Sequence, residues 1–236
     1  MFLFASTFPN LAGEVKRRPP CVTIGAMGTY LGFDPGGAGA FGWAVVSGLK
    51  WPLELSGRGV ADHAEGAFGA AMDCAGTKIE AVGIDAPLFW VAAGDRRVDQ
   101  IVRRAVTRLG CFGGTVQSVN SLRGACLIQG MLVGMMCQSK AGDQILLTES
   151  HPKALLWLLG KASGGRAVGE VALHDLNDYV VGGRVQGASD HERDAALGAV
   201  AAFAMKSRFT GWRDLSVSET NAMTPLSPPP GYWMPL

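Results

Sequence analysis

Hydrophobic residues in this chain form short continuous runs early on, and segments of helical periodicity follow them. The runs TYLGFD (29–34), FGWAVV (41–46) and LELSGRGVA (53–61) predict three strands joined by glycine-rich turns. The run AVGI (81–84) is apolar throughout, which is typical of a strand covered on both faces. A further apolar strand is predicted at ILLTE (145–149). The pattern therefore predicts a meander followed by separate, more buried strands.

Helical segments separate the later strands. The clearest start signal is Ser189 with Glu192, an S-x-x-E capping box that precedes an alanine-rich apolar run. The alanines predict that this last helix lies close against a sheet. We expect helices at DHAEGAFGAAMDCAG (62–76), RRVDQIVRRAVTRLG (96–110), SLRGACLIQGMLVGMMCQS (121–139), PKALLWLLG (152–160), LHDLNDYVVG (173–182) and SDHERDAALGAVAAFAMKS (189–207).

This order of elements predicts an α/β fold with a mixed sheet, in which an antiparallel meander joins parallel strands and helices flank both. We expect one domain over residues 28–208. Residues 1–27 are expected to be an N-terminal extension, and residues 209–236 a proline-rich, extended C-terminal tail.

Composition excludes several functional classes. The formal net charge is +1, so no strong global field attracts nucleic acid, and any anionic ligand requires a local basic patch. No apolar run is long enough to span a bilayer, and the N-terminus lacks the charge pattern of a signal peptide. The five cysteines form no CxxC pair, so no zinc site is indicated. We expect a soluble cytoplasmic protein that does not bind membranes; the sequence leaves a homo-oligomer open.

Acidic residues mark the ends of the buried strands. Asp34, Asp85 and Glu149 each end an apolar strand, and ligands bind at the carboxyl ends of strands in open α/β sheets. Asp194 lies one helical turn beyond Asp190, so both occupy one face of the last helix. A helix packed across the strand ends would add a fourth carboxylate to the group.

Each acid also has a purely structural interpretation. Asp34 begins a Asp-Pro-Gly-Gly turn, and Asp85 is suited to capping the segment after its strand. For Asp190 we favour a charge in the first turn of a helix, although it remains a candidate ligand. Carboxylates that converge repel one another and must hold protons or share cations. Oxygen ligands favour Mg²⁺ or Mn²⁺, and two such ions can drive phosphodiester cleavage.

Together these residues resemble the domain of unknown function 429 family, described as predicted nucleases of RNase H-like fold. The resemblance covers most of residues 29–205, and the order and spacing of its peptides are more specific than any one of them. The matching segments are GFDPGGAGAFGWAVV, AVGIDAPLF followed by GDRRVDQIVRR, TESHPKALLWLLG, and SDHERDAALGAVAAF.

The resemblance implies an RNase H-like domain whose acids bind divalent metal. It places Asp34 as the ligand shared by two ions, Asp85 and Glu149 as ligands of one ion each, and Asp194 as a ligand of the ion nearer the attacking water. The implied activity is metal-dependent hydrolysis of nucleic acid.

Arginines follow the second acid. We interpret Arg96, Arg97 and Arg103 as candidates for binding the phosphates of a nucleic acid.

Other functions remain open at this stage. The glycine-rich hairpin after Asp34 also fits a nucleotide-binding protein of the actin-like or sugar-kinase superfamily, although no Ser or Thr follows its glycines. An inactive RNase H-like binding module is a further alternative. A hydrolase using Ser150 and His151 is disfavoured, because adjacent strand residues point to opposite sides and no G-x-S-x-G elbow is present. His151 is instead a candidate neighbour of the metal site.

Overall fold

A computed structural model describes residues 28–76, 78–91, 95–117, 124–141, 145–162 and 166–236. The predicted N-terminal extension, residues 1–27, lies outside the described residues. Within the described ranges, no helix combines the length and apolarity needed to cross a bilayer.

One mixed sheet organises the described residues. Its order is β6-β3-β2-β1-β4-β5-β8-β7. The strands are β1 (Thr29–Asp34), β2 (Phe41–Ser47), β3 (Leu53–Ala61), β4 (Ala81–Ile84), β5 (Leu146–Glu149), β6 (Val180–Val181), β7 (Trp212–Asp214) and β8 (Gly231–Pro235). β1, β2 and β3 form an antiparallel meander, and β4, β5 and β8 extend the sheet with parallel pairing from β1 outward. The predicted α/β class with a mixed sheet is confirmed.

Helices cover both faces of the sheet. They are α1 (Ala64–Ala75), α2 (Arg97–Arg108), α3 (Gly124–Ala141), α4 (Pro152–Leu158) and α5 (Asp190–Ser207). One hydrophobic cluster joins α5, α4 and α2 to one face, and a second joins α1 and α3 to the other. The predicted capping box opens α5, with the Ser189 side chain accepting from the backbone N–H of Glu192.

Two segments differ from expectation. Residues 209–236, expected to be an extended tail, contribute β7 and β8 to the sheet. Backbone groups of β5 pair with Gly231 and Tyr232, so this segment packs on the same chain. Residues 173–182, expected to be helical, form a short 3-10 turn followed by β6. Both sequences gave weak local signals, and tertiary pairing decided their conformation.

The close approach of α5 to the sheet depends on glycines in the central strands. A Cβ atom at Gly32 of β1 would lie 1.7 Å from the carbonyl oxygen of Ala195, and one at Gly83 of β4 would lie 1.9 Å from that of Gly198. Side chains at these positions would push the helix outward. The alanine-rich face of α5 is buried along nearly its whole length, as the sequence predicted.

Substituting a strand glycine tests this close packing. Gly32→Ala is expected to lower the free energy of unfolding by at least about 1–3 kcal/mol, because its methyl group overlaps helix backbone that cannot move aside locally. Gly69→Ala is the matched control, since that helical glycine has open space around its Cβ position. It should raise stability by about 0.5–1 kcal/mol. Urea unfolding measures both; equal effects of the two variants would contradict the packing argument.

Candidate active site

Asp34 and Asp85 lie side by side where β1 and β4 end. Phe33 pairs with Ile84, and the backbone N–H of Asp85 donates to the Phe33 carbonyl at 2.8 Å. The two aspartates follow Gly32 and Gly83 by two residues, so their side chains lie on the face of the sheet that α5 covers. Their side chains remain 13% and 23% exposed, so solvent reaches both carboxylates.

The first turns of α5 bring polar groups to these aspartates. Nδ1 of His191 donates to Oδ2 of Asp34 at 2.7 Å, and this hydrogen bond is the main cause that raises the pKa of His191. Asp194 is buried one turn further along and accepts from Nε of Arg193 at 2.8 Å. Three of the four predicted acids therefore meet between β1, β4 and α5.

Burial and mutual repulsion raise the pKa values of two of these carboxylates. Burial raises the pKa of Asp85 well above its usual value, and the negative charges of Asp34 and Asp194 raise it further. Burial likewise raises the pKa of Asp194 to about 6, with Arg193 opposing the rise and Asp34 adding to it. The Asp85 carboxyl accepts no hydrogen bond from the described residues. Nδ1 of His151 lies 3.8 Å from its Oδ1. A cation would relieve this repulsion.

Glu149 is placed differently from the three aspartates. It pairs with Ile84, one residue before Asp85, so its side chain starts from the opposite face of the sheet. Its carboxylate is buried and accepts from the guanidinium of Arg96 at 2.7 and 2.8 Å and from the backbone N–H of Leu88 at 3.0 Å. In this arrangement Glu149 is bound to protein donors, although it lines the same cavity as Asp34 and Asp85 and its charge adds to the rise in the pKa of Asp85.

Arg96 departs from its expected role as a phosphate-binding residue. Its side chain is 2% exposed, and all five of its N–H groups donate to protein acceptors. These acceptors are the carboxylates of Glu149 and Asp99 and the carbonyl of Phe89. Burial opposes its charge, but the neighbouring charges of Glu149 and Asp99 outweigh this and raise its pKa. Arg96 is therefore a buried structural cation with no donor left for substrate.

The other basic candidates lie outside the acidic group. Arg97 is exposed at the first position of α2. Arg103 donates to the carbonyl of Val116 and to Asp95, which fixes the segment after α2. Asp190 is 67% exposed and pairs with Arg193 at 3.1 Å, in keeping with a first-turn charge. Of the three arginines predicted to bind phosphate, only Arg97 has a guanidinium without a hydrogen bond to the described residues.

A cavity of about 230 Å³ opens beside the aspartates. A larger cavity of about 510 Å³ lies between β3 and α1, but none of the strand-end acids lines it. The smaller cavity is lined by Asp34, Pro35, Asp85, Ala86, Pro87, Arg96, Asp99, Thr115, Gln117, Cys126, Glu149, Ser150, His151, Lys153 and Tyr232. Burial lowers the pKa of His151 to about 4, so its imidazole is neutral near pH 7.

A metal ion at this site would meet existing hydrogen bonds on two of the three aspartates. Among the described residues, no three His, Cys, Asp or Glu side chains are grouped so as to hold a metal ion. The donors have the oxygen chemistry that Mg²⁺ and Mn²⁺ prefer. However, His191 occupies Asp34 and Arg193 occupies Asp194, whereas Asp85 is unengaged. A bound ion would therefore take the other oxygen of each carboxylate or replace one of these two hydrogen bonds.

Three residues of the site were not found from the sequence: His191, Lys153 and Tyr232. His191 lay between charged residues in a first turn, and Lys153 followed a helix-starting proline. Tyr232 belonged to the supposed tail. One sequence signal did separate the two aspartates from Glu149. Gly32-Phe33-Asp34 and Gly83-Ile84-Asp85 share a G-x-D pattern, and Thr148-Glu149 has no such glycine before it.

Comparisons with family models, with curated proteins and with solved structures found no match to this chain. The function of the site is therefore inferred from its own residues and their geometry.

Removing the Arg96 guanidinium should destabilise the fold strongly. Arg96→Met leaves the carboxylates of Glu149 and Asp99 buried without a cation, which costs about 3–5 kcal/mol. Arg97→Met, one residue away and exposed, should change stability by less than about 0.5 kcal/mol. Urea unfolding at neutral pH measures the difference. Similar stabilities of the two variants would show that the buried ion cluster contributes little.

The raised pKa of Asp85 predicts a pH-dependent effect of Asp85→Asn. In an unfolded chain an aspartate titrates near about 3.9. The pKa of Asp85 is higher in the folded state. The protonated carboxyl therefore contributes its full stabilisation at pH values below the unfolded-state pKa, and this stabilisation is lost as the pH rises through the folded-state pKa. Asp85→Asn should therefore be more stable than wild type at about pH 8 and equally stable near about pH 3–4. Urea unfolding in the presence of a chelator measures this.

The matched control is Asp178→Asn, whose parent carboxylate is 68% exposed and paired with Lys161. It should give no stabilisation that grows with pH. A gain for Asp85→Asn that is the same at every pH would mean that relief of buried charge is not its cause.

Proposed function

We propose that this protein is a divalent-metal-dependent nuclease that hydrolyses phosphodiester bonds at Asp34, Asp85 and Asp194. The single observation that carries the proposal is the meeting of these carboxylates, from two strand ends and one helix, where burial raises the pKa of Asp85 and the charges of Asp34 and Asp194 raise it further. An acidic group that remains accessible to solvent and lacks enough cations of its own is suited to binding metal.

The architecture supports an RNase H-like domain. Strands β3-β2-β1-β4-β5 form a meander followed by parallel strands, and the two strand acids lie at the ends of the adjacent β1 and β4. This is the arrangement that the resemblance to the domain of unknown function 429 family implies. Fold alone does not define an activity, so the carboxylates carry the functional argument.

Asp34, Asp85 and Asp194 would hold the metal, which we expect to be Mg²⁺ or Mn²⁺. When bound, such an ion lowers the pKa of a coordinated water and stabilises charge on phosphate oxygens. Glu149 contributes indirectly, because its bonds to Arg96 and to the Leu88 N–H fix the loop that follows Asp85. This assigns Glu149 a positioning role in place of the direct ligation that the resemblance implies.

His191 positions the Asp34 carboxylate. Its Nδ1–H holds Oδ2 of Asp34 on the side of α5, and its ring is 44% exposed. The hydrogen bond keeps Asp34 oriented in the absence of cation. Because His191 binds one oxygen, the second oxygen of Asp34 remains available to a metal ion.

Replacing Asp34 tests the proposed function. Asp34→Asn keeps the size of the side chain but removes its charge, so Mn²⁺ binding should weaken and cleavage of labelled DNA or RNA should fall at least about 100-fold. The fold should persist, since repulsion with Asp85 is relieved. Calorimetric titration with Mn²⁺, a cleavage assay and urea unfolding measure these effects, with Asp178→Asn as the control.

Mn²⁺ binding that survives Asp34→Asn unchanged would rule out this metal site. Binding of ATP without cleavage of any nucleic acid would instead support the nucleotide-binding alternative. Unfolding of Asp34→Asn would indicate that the residue serves mainly to form the turn after β1.

A further inference from the structure

The cavity beside the carboxylates contains donors as well as acids. Its ionisable lining includes four carboxylates and two permanent cations, namely Asp34, Asp85, Asp99, Glu149, Arg96 and Lys153. Arg96 is committed to Glu149 and Asp99, which leaves Lys153 as the cation facing Asp34 and Asp85. The pocket is therefore divided into a closed ionic cluster at Arg96 and an open acidic side with one ammonium group.

Lys153 is positioned to contact a ligand. It is exposed at the second position of α4, and its ammonium donates no hydrogen bond to the described residues. Its positive charge nevertheless acts on Asp85 and Asp194, where it opposes part of the rise in their pKa values that burial causes. Lys153 lines the same cavity as Asp34 and Asp85, so one ligand in that cavity can contact all three side chains.

Tyr232 supplies a second, independent observation. Its side chain is completely buried, it lines the same cavity, and its hydroxyl has no hydrogen-bond partner among the described residues. Burial raises the pKa of the phenol well above its usual value, and the charges of Glu149 and Asp99 raise it further, so the group keeps its proton. A buried hydroxyl without a partner is costly, which indicates that an acceptor normally fills this position.

The unpartnered hydroxyl of Ser150 is a different case. This residue also lines the cavity, but its Oγ lies toward α5, 3.3 Å from where a Cβ atom at Gly198 would be. Tyr232 and Lys153 are therefore the donors on which a ligand would depend.

We propose that this cavity is the phosphate subsite of the nuclease, with the Lys153 ammonium and the Tyr232 hydroxyl as donors to phosphate oxygens of a nucleic-acid backbone. The inference rests on the proposed function and replaces Arg96 in the role first expected for it. The volume of about 230 Å³ equals that of roughly eight liquid water molecules, which accommodates a phosphate with part of its sugar. It is too small for stacked base pairs.

Charge dictates the order of binding. Acids outnumber cations in the lining, so an anion alone is repelled from this pocket. A divalent cation on the aspartates offsets this excess negative charge, which removes the repulsion and allows a phosphate to bind beside Lys153. Lys153 therefore has opposite effects on the two ligands: it repels the metal ion and attracts the phosphate.

Lys153→Met tests these opposite effects on metal ion and phosphate with two measurements. Mn²⁺ affinity, measured by calorimetry without nucleic acid, should increase or stay the same. Affinity for a short fluorescein-labelled oligonucleotide, measured by anisotropy in Ca²⁺, should fall about three- to tenfold. The slope of log affinity against log salt concentration should decrease in magnitude by about 1. DNA and RNA versions of the probe are both used. Lys153→Arg should retain most of the affinity, and Lys161→Met is the control, because Lys161 lies beyond the end of α4, pairs with Asp178 and does not line the cavity.

A probe with uncharged methylphosphonate linkages identifies the group that is bound. The effect of Lys153→Met should disappear with this probe, because the phosphate charge is absent. Tyr232→Phe removes only the hydroxyl, so it should weaken binding of the normal probe several-fold while leaving stability unchanged or raised. Loss of stability in Tyr232→Phe would show that the hydroxyl has a structural partner and would overturn its role as a donor.

The outcomes separate this inference from the proposed function. If Mn²⁺ binds and Asp34→Asn abolishes that binding, but Lys153→Met leaves oligonucleotide affinity unchanged, the metal site stands and the phosphate subsite is wrong. If wild type binds no Mn²⁺, the nuclease proposal itself fails. If Lys153→Met weakens Mn²⁺ and oligonucleotide binding equally, the residue supports the fold and not the ligand.

Discussion

The contact of α5 with the backbone of β1 and β4 is the constraint on which the site depends. Gly32 and Gly83 allow the helix to lie directly on the central strands, without side chains between them. Only at this distance do His191 and Asp194 reach the aspartates that follow those glycines. The same packing buries the carboxylates, and burial is the largest influence on the charge of Asp85. The contact of α5 with β1 and β4 therefore determines both the packing and the electrostatics of the site.

Two ion clusters with different purposes lie near each other at this edge of the sheet. Around Arg96, every donor has an acceptor, and the geometry is fixed by bidentate contacts on both sides. Around Asp85, charges of one sign are concentrated and donors are scarce. An ion cluster whose donors and acceptors are all paired keeps its geometry, whereas a cluster of like charges with few donors binds ligands that relieve the repulsion. The contrast explains why Glu149, although acidic and buried, belongs to the scaffold.

Much of the fold could be predicted from local patterns, and the site only in part. The meander, the buried strands and the capped helix α5 each carry a strong signal over a few residues, as at Ser189 and Glu192. No local sequence signal predicts the register of β5 against β4. A shift of one residue in that register nevertheless decides from which face of the sheet the Glu149 side chain starts. The burial of Arg96 was equally hidden, since an arginine before a helix normally points to solvent. The strand at residues 231–235 was masked by its proline-rich surroundings.

The position of β8 has a consequence for biosynthesis. β5 is flanked by β4 on one side and by β8 on the other, and β8 is translated only after β5, α4 and α5. Until the residues of β8 leave the ribosome, β5 presents an unpaired edge with free backbone donors and acceptors. Such an edge can recruit strands from other nascent chains. Chaperone engagement of this protein is therefore expected to concentrate in the interval between the emergence of α5 and the docking of β8.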